Sequence, residues 1–164
     1  MNTVTKLLEQ QFYNAFDALK QHADACPDAL WNSGIGGARY WTHLVHALMG
    51  TYFWMRADYA AGFVWDLPLP ELLRGRLVED AWEYSDGEFM TRAEAQFCFD
   101  AVAARCAQFF AALDDETLAA HPRESYPCTY ADIIASQIRH IAYHTGMCAA
   151  FLNAADLDEP AWVD

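Results

Sequence analysis

Apolar residues recur at intervals of three and four along four long stretches of the chain. In the first stretch the repeat runs through Val4, Leu7, Leu8 and Phe12 and continues to about residue 23. This is the spacing of one face of an α-helix, and no stretch alternates apolar and polar residues in the manner of a strand. The pattern predicts helices over residues 3–23, 38–61, 91–113 and 129–153.

Signals for helix boundaries agree with these ranges. Thr91 is followed three residues later by Glu94, which is the spacing of a capping box at a helix start. Thr129 stands in the same relation to Asp132, so that a hydroxyl caps the helix and a carboxylate lies in its first turn. A glycine-rich turn over residues 33–37 precedes the second predicted helix.

A long connection separates the second and third predicted helices. Residues 63–90 contain Pro68 and Pro70, and within them residues 71–76 have the pattern of a short helix. Connections of this length in compact domains are usually crossovers, lids or binding loops. Four helices of about 20 residues with one long crossover between helices 2 and 3 fit an all-α four-helix bundle. Because no repeat or linker divides the chain, we expect a single domain over residues 1–164.

Composition and charge narrow the classes of function. Hydrophobic residues make up 54% of the 164 residues, which is enough for a substantial core, and the formal net charge is −13. Such a surface repels phosphate backbones and anionic lipids, so neither a nucleic acid nor a membrane is an expected partner. The N-terminal sequence has no apolar run of signal-peptide length, and five widely spaced cysteines suit reduced thiols. We therefore expect a cytoplasmic protein.

Two histidines four residues apart carry the clearest chemical signal. His140 and His144 project from one face of the fourth predicted helix, about 40° apart around its axis. Apolar residues flank them on the same stripe, so both rings are expected to point inward, where this spacing can bring two nitrogens to one metal ion. His46, on the second predicted helix, could supply a third nitrogen, because the smaller Thr42 and Gly50 that flank it would leave room for an ion and its ligands.

Other interpretations of the histidines stay open at this point. Buried imidazoles can be satisfied core residues, although burying two of them without partners is costly. His43 lies about 60° from His46 around the helix axis, and its simplest role is that of a polar residue at the edge of a helix interface. His22 lies at a helix end and His121 lies beside Pro122, and we expect neither in the site. Glu-x-x-His and His-Glu-x-x-His motifs are absent, which disfavours a di-iron carboxylate bundle and a zinc-protease helix.

Two segments of the chain resemble the DinB/YfiT-like superfamily. Residues 40–48 resemble its second helix, and residues 137–146 resemble its fourth, where an Arg-His-x-x-x-His-x-Gly pattern recurs. The resemblance covers nearly the whole chain. It implies a four-helix bundle with a long crossover, a homodimer, and a divalent metal held by His46, His140 and His144. Some members of the superfamily are thiol-dependent transferases that join a small cellular thiol to an electrophile, and many others have no assigned activity.

The predicted site leads to three hypotheses about function. Three neutral imidazoles leave the charge of a divalent ion uncompensated and a coordination position open, so the ion lowers the pKa of a bound water or thiol. The leading hypothesis is a metal-dependent thiol S-transferase acting on a small-molecule substrate. A metal-dependent hydrolase is the second, and a non-catalytic metal- or ligand-binding helical-bundle dimer is the third. Zinc or nickel is the expected metal, with iron and manganese as alternatives that the ligand type leaves open.

Overall fold

The computed structural model describes residues 2–35, 38–56, 58–59, 70–73, 84 and 87–163. Five α-helices lie in these ranges: α1 (Thr3–Ala25), α2 (Asp28–Trp31), α3 (Tyr40–Trp54), α4 (Arg92–Ala111) and α5 (Tyr130–Ala154). The other described elements are 3₁₀ turns at Glu71–Leu73 and Thr117–Ala119, and an antiparallel pair of two-residue strands, β1 (Gly34–Ile35) and β2 (Ala38–Arg39). The protein is therefore all-α in class, as the hydrophobic pattern predicts.

The first helix, α1, is amphipathic and is fixed at its N-terminus by a distant carboxylate. Phe12 and Phe16 lie on its buried face. Asp115, in the turn after α4, accepts hydrogen bonds of 2.8 Å from the backbone N–H groups of Thr3 and Thr5. The hydrogen bond from the Thr5 amide is the main reason that the pKa of the Asp115 carboxyl lies below its usual range. The carboxylate also suits the positive end of the helix dipole.

Both predicted capping boxes are present. The Thr91 hydroxyl accepts a hydrogen bond of 3.2 Å from the Glu94 amide, and the Glu94 carboxylate accepts one of 2.8 Å from the Thr91 amide. Thr129 and Asp132 make the same reciprocal pair, at 3.1 Å and 2.9 Å. Each box satisfies two N–H groups that would lack a partner at a helix start. The predicted starts of the third and fourth helices are thus confirmed as those of α4 and α5.

The prediction of the second helix over residues 38–61 is wrong at both ends, since α3 spans Tyr40–Trp54. The residues before it pair as β1 and β2, which engages the backbone groups that a helix would use. Beyond it, Met55 leaves helical geometry with φ −94° and ψ 63°. The side chains of Arg56 and Tyr59 then donate to two of the last helical carbonyls, in place of the bonds that a longer helix would make. Part of the predicted range after this point lies outside the described residues.

The central helix, α3, is the most deeply buried of the long helices. Twelve of its fifteen residues are buried, and it contacts both α4 and α5. The first helix, α1, packs mainly against α5 and also touches α3 and α4. A helix covered on nearly every side is apolar all round, and α3 shows this composition. Most side chains of α3 are therefore inside the protein.

Most of the connection between α3 and α4 lies outside the described residues, and the predicted crossover over residues 63–90 stays a prediction. Its described part includes the 3₁₀ turn at Glu71–Leu73, where the sequence predicts a short helix over residues 71–76. Residues 74–76 are not among the described ones. Of the helices that are described, none combines the length and the apolar character needed to cross a membrane.

Candidate metal centre

The packing of α3 on α5 brings three histidines together. His140 and His144 lie one turn apart on α5, and their Nε2 atoms are 3.1 Å apart. His46 faces them from α3, with its ring centroid 5.1 Å from that of His140 and 5.0 Å from that of His144. One nitrogen from each of the three rings forms a group in which all separations are within 4.8 Å. The structure thus assembles the three residues that the sequence predicts as metal ligands.

The three rings differ in their access to solvent. His144 is 1% exposed, whereas His46 and His140 are only partly buried. His144 therefore forms the inner side of the group, and the other two rings form its outer side.

Gly50 makes room for the ring of His140. A Cβ atom at this position would lie 2.6 Å from Cε1 of His140 and 3.1 Å from its Nδ1. The shorter distance is far below the roughly 3.5–4.0 Å of carbon–carbon contact, so a side chain here displaces the ring. Gly50 thus leaves room for a predicted ligand, as expected for a small residue that flanks His46. Thr42, the other small residue that flanks His46, donates its hydroxyl to the Arg39 carbonyl at 2.7 Å.

The buried setting keeps the three imidazoles neutral at pH 7. Burial, and to a lesser extent the neighbouring His140 and His43, lowers the pKa of His46 to about 4. Burial also lowers the pKa of His140 and is the main cause of the lowered pKa of His144. A neutral imidazole keeps a lone pair on one ring nitrogen, and that lone pair is what binds a metal. The group is therefore ready to bind a cation without first losing protons.

The donor set suits a divalent transition metal. Zn–N bonds of about 2.0–2.1 Å place two nitrogens of a tetrahedral ion roughly 3.3 Å apart. The Nε2 atoms of His140 and His144 are 3.1 Å apart, which is close to that separation. Imidazole suits zinc, nickel, iron and copper, whereas magnesium and calcium prefer oxygen ligands. Three protein ligands with one position left for another molecule are the arrangement of catalytic zinc sites.

His43 belongs to the same cluster, and the prediction of a polar residue at the edge of the interface is wrong. The ring is 3% exposed, and its Nδ1 lies 3.3 Å from Nδ1 of His144. It also packs edge-on against Phe151, with 5.6 Å between ring centroids. The prediction judged His43 by its angle from His46, whereas α3 is buried on nearly every side. The apolar composition of the whole helix is the signal in the sequence that would have placed His43 inside.

The two histidines expected outside the site lie outside it. Nδ1 of His22 contacts the Ala18 carbonyl oxygen at 2.8 Å within α1. Nδ1 of His121 contacts the Tyr126 carbonyl oxygen at 2.7 Å in the loop before α5. Both are local contacts, and neither ring is part of the three-imidazole group.

The cysteines are separate thiols, and four of the five are buried. All five lie in the described part of the chain, and none forms a disulfide. Burial raises the pKa of the Cys26 thiol to about 11 and that of the Cys98 thiol to about 12. At neutral pH both groups are protonated, which makes them poor nucleophiles.

We expect the metal-free protein to lose stability as the pH falls from about 7.5 to about 5.5. The pKa of His46 is about 6.5 in an unfolded chain, and burial lowers it to about 4 in the folded protein. Between these two values the unfolded chain binds more protons, so acid favours unfolding. Over this pH range His46 alone accounts for a loss of about 1 kcal/mol in the free energy of unfolding.

Denaturant unfolding of chelator-treated protein at the two pH values measures this loss. A His46→Asn variant is the control, since it should show a smaller pH dependence. Above pH 5 the carboxylates of Asp115 and Asp132, whose pKa values are lowered by hydrogen bonds from backbone amides, remain ionised and do not contribute to the difference. A wild-type stability that stays constant or rises on acidification contradicts the prediction.

Comparisons with protein-family models, with curated proteins and with solved structures find no match to this chain. The resemblance to the DinB/YfiT-like superfamily therefore stays a prediction that rests on two sequence segments. What the structure itself provides is a group of three neutral imidazoles between two helices.

Proposed function

We propose that the protein is a metal-dependent enzyme that holds a divalent ion with His46, His140 and His144 and transfers a small thiol to an electrophilic substrate. The convergence of three neutral imidazoles, two of them with Nε2 atoms 3.1 Å apart, is the observation that supports the ion. Zinc or nickel is the metal we propose, because imidazole ligands favour them over magnesium or calcium. The choice of a thiol as co-substrate rests on the resemblance to the DinB/YfiT-like superfamily.

We also propose that the fold is a DinB/YfiT-like four-helix bundle, forming one domain and assembling as a homodimer. The main helix contacts are those of α1 with α5, α5 with α3 and α3 with α4, and α1 also touches both α3 and α4. The helices that carry the three histidines, α3 and α5, pack directly against each other. A bundle core between facing helices is a common place for a metal site.

The chemistry follows from the charge and the surroundings of the ligands. An ion with three neutral imidazole ligands lowers the pKa of a thiol or a water molecule at its remaining position to near neutrality. The chain's contribution is to orient the rings. The inner ring of His144 is buried in the core, and the outer rings of His46 and His140 are only partly buried. Apolar surroundings on the inner side strengthen every electrostatic interaction made there.

In this proposal the thiol is supplied by a small molecule. The protein's own Cys26 and Cys98 are buried and protonated at neutral pH, so they are unsuited to the role. In the transfer, the sulfur forms a bond to an electrophilic carbon. The bond from that carbon to its leaving group breaks, with the electron pair going to the leaving group, and the thiol proton passes to solvent.

Elemental analysis and a thiol-dependence assay test the proposal together. We expect protein prepared without an affinity tag to contain stoichiometric zinc or nickel, since tags themselves gather these metals. With an alkyl halide or epoxide as electrophile, we expect turnover only when a low-molecular-weight thiol is added.

Each alternative has its own result in these measurements. Hydrolysis of the electrophile without added thiol supports a metal-dependent hydrolase. Bound metal with no turnover under either condition supports a non-catalytic binding protein. Absence of stoichiometric metal after growth and reloading with zinc and nickel contradicts the proposed site.

A further inference from the structure

We propose that His43 is a positioning residue that accepts a hydrogen bond from Nδ1–H of His144 and thereby leaves the Nε2 lone pair of His144 directed at the metal site. This inference rests on the proposed metal site, because it assigns a role to His43 within it. His43 itself is not one of the three ligands.

The two ring nitrogens of His144 face different neighbours. Its Nδ1 lies 3.3 Å from Nδ1 of His43, and its Nε2 lies 3.1 Å from Nε2 of His140. A neutral imidazole has one N–H group and one lone pair. If Nδ1 carries the hydrogen, it donates to His43 and Nε2 can bind a cation. If Nε2 carried the hydrogen, His144 would be unable to act as a ligand on the side where His140 lies.

The group that faces Nδ1–H of His144 must then be a hydrogen-bond acceptor. A neutral His43 with its own hydrogen on Nε2 presents a lone pair at Nδ1, which is the atom that faces His144. His43 and His144 are 3% and 1% exposed, so solvent has little access to take over the acceptor role. The edge-on contact with Phe151 fixes the His43 ring from another side.

The direction of the two nitrogens excludes His43 as a further ligand to the same ion through this contact. The nitrogens of one imidazole ring point away from each other. His43 lies on the Nδ1 side of His144, and His140 lies on the Nε2 side. His43 therefore lies on the side of His144 that faces away from the metal site. A carboxylate or a carbonyl takes this position next to many zinc-bound histidines.

Two substitutions separate the hydrogen bond from simple packing. In His43→Asn the side-chain carbonyl can keep an acceptor near the position of Nδ1, whereas His43→Leu fills the space without one. We expect His43→Leu to weaken zinc affinity by about 10–100-fold, the usual cost of losing such a partner. We expect His43→Asn to stay within a few-fold of the wild type. Competition with a chromogenic zinc chelator measures all three affinities.

Ring nitrogen spectra give a second measurement that packing alone would not change. Long-range ¹H–¹⁵N correlation spectra of the metal-free protein report which nitrogen of His144 carries the hydrogen. We expect the Nδ1–H form in the wild type and in His43→Asn, and a shift toward the Nε2–H form in His43→Leu. Melting temperatures of the metal-free variants show how much each substitution affects the fold.

The outcomes distinguish this inference from the proposed function. If wild-type protein binds no zinc, the metal site fails, and the spectra of metal-free protein still decide the role of His43. If wild-type protein binds zinc and His43→Leu binds it equally well, the inference is overturned and the metal site stands. Equal loss of affinity in His43→Asn and His43→Leu, with no change in the hydrogen position on His144, also overturns it.

Discussion

We expect a His140→Ala variant to lose stoichiometric metal and, with it, any metal-dependent turnover. The substitution removes one of three nitrogens and leaves two imidazoles, on α3 and α5, which cannot surround an ion in the same way. The metal affinity should fall by more than about 100-fold, because losing only the hydrogen-bond partner of a ligand already costs about 10–100-fold. Elemental analysis after desalting and a chelator competition titration measure the effect.

A His121→Ala variant is the matched control for this experiment. It removes one imidazole from the chain, but that ring lies in the loop before α5 and contacts the Tyr126 carbonyl. Its metal content should equal that of the wild type. Circular dichroism of both variants shows whether the helices are retained. Stoichiometric metal in a folded His140→Ala variant means that the assignment of the site is wrong.

We expect Gly50→Ala to lower metal affinity by roughly 10–100-fold while leaving the helices intact, as other changes that misplace a ligand do. The added Cβ would lie 2.6 Å from Cε1 of His140, so the ring has to move from the position in which it faces His46 and His144. Gly50 thus affects metal binding because it determines where the ring of His140 can lie. The same chelator competition titration measures the change.

Gly146→Ala is a matched control in the neighbouring helix. Both glycines lie inside helices, where alanine is favoured over glycine by about 0.8–1.0 kcal/mol. A Cβ at Gly146 meets nothing within 4 Å, so this variant should gain stability and keep its metal affinity. If Gly50→Ala binds metal as tightly as Gly146→Ala, the close approach of Gly50 to His140 has no bearing on the site.

Helix starts set by local chemistry could be predicted from the sequence. The pairs Thr91–Glu94 and Thr129–Asp132 each lie within one turn, and their side chains bond to the backbone of that same turn. Such a signal needs no knowledge of the rest of the fold. For this reason the starts of α4 and α5 agree with the prediction to within a residue.

The limits of α3 depend on contacts that the hydrophobic pattern does not contain. Its start is set by the pairing of β1 with β2, and its end by side chains of Arg56 and Tyr59 that reach back to helical carbonyls. In both cases the boundary depends on the hydrogen-bond partner that a particular backbone group has. A window of apolar residues continues past each point, and so the predicted helix was too long.

The candidate site was predictable where spacing within one helix decides the geometry. His140 and His144 are four residues apart, which fixes them on one face whatever else the protein does. The role of His46 followed from its small neighbours and from the family resemblance. His43 was missed because its part depends on a contact between helices, its 3.3 Å approach to His144. Distances of that kind come from tertiary packing alone.

The ligands are divided between helices on either side of the α3–α4 connection. A polypeptide cut between Trp54 and Arg92 would carry His46 on one fragment and His140 and His144 on the other. Neither fragment alone holds the three imidazoles. Metal binding would then occur only after the two fragments associate. This property makes the protein suited to use as a split reporter.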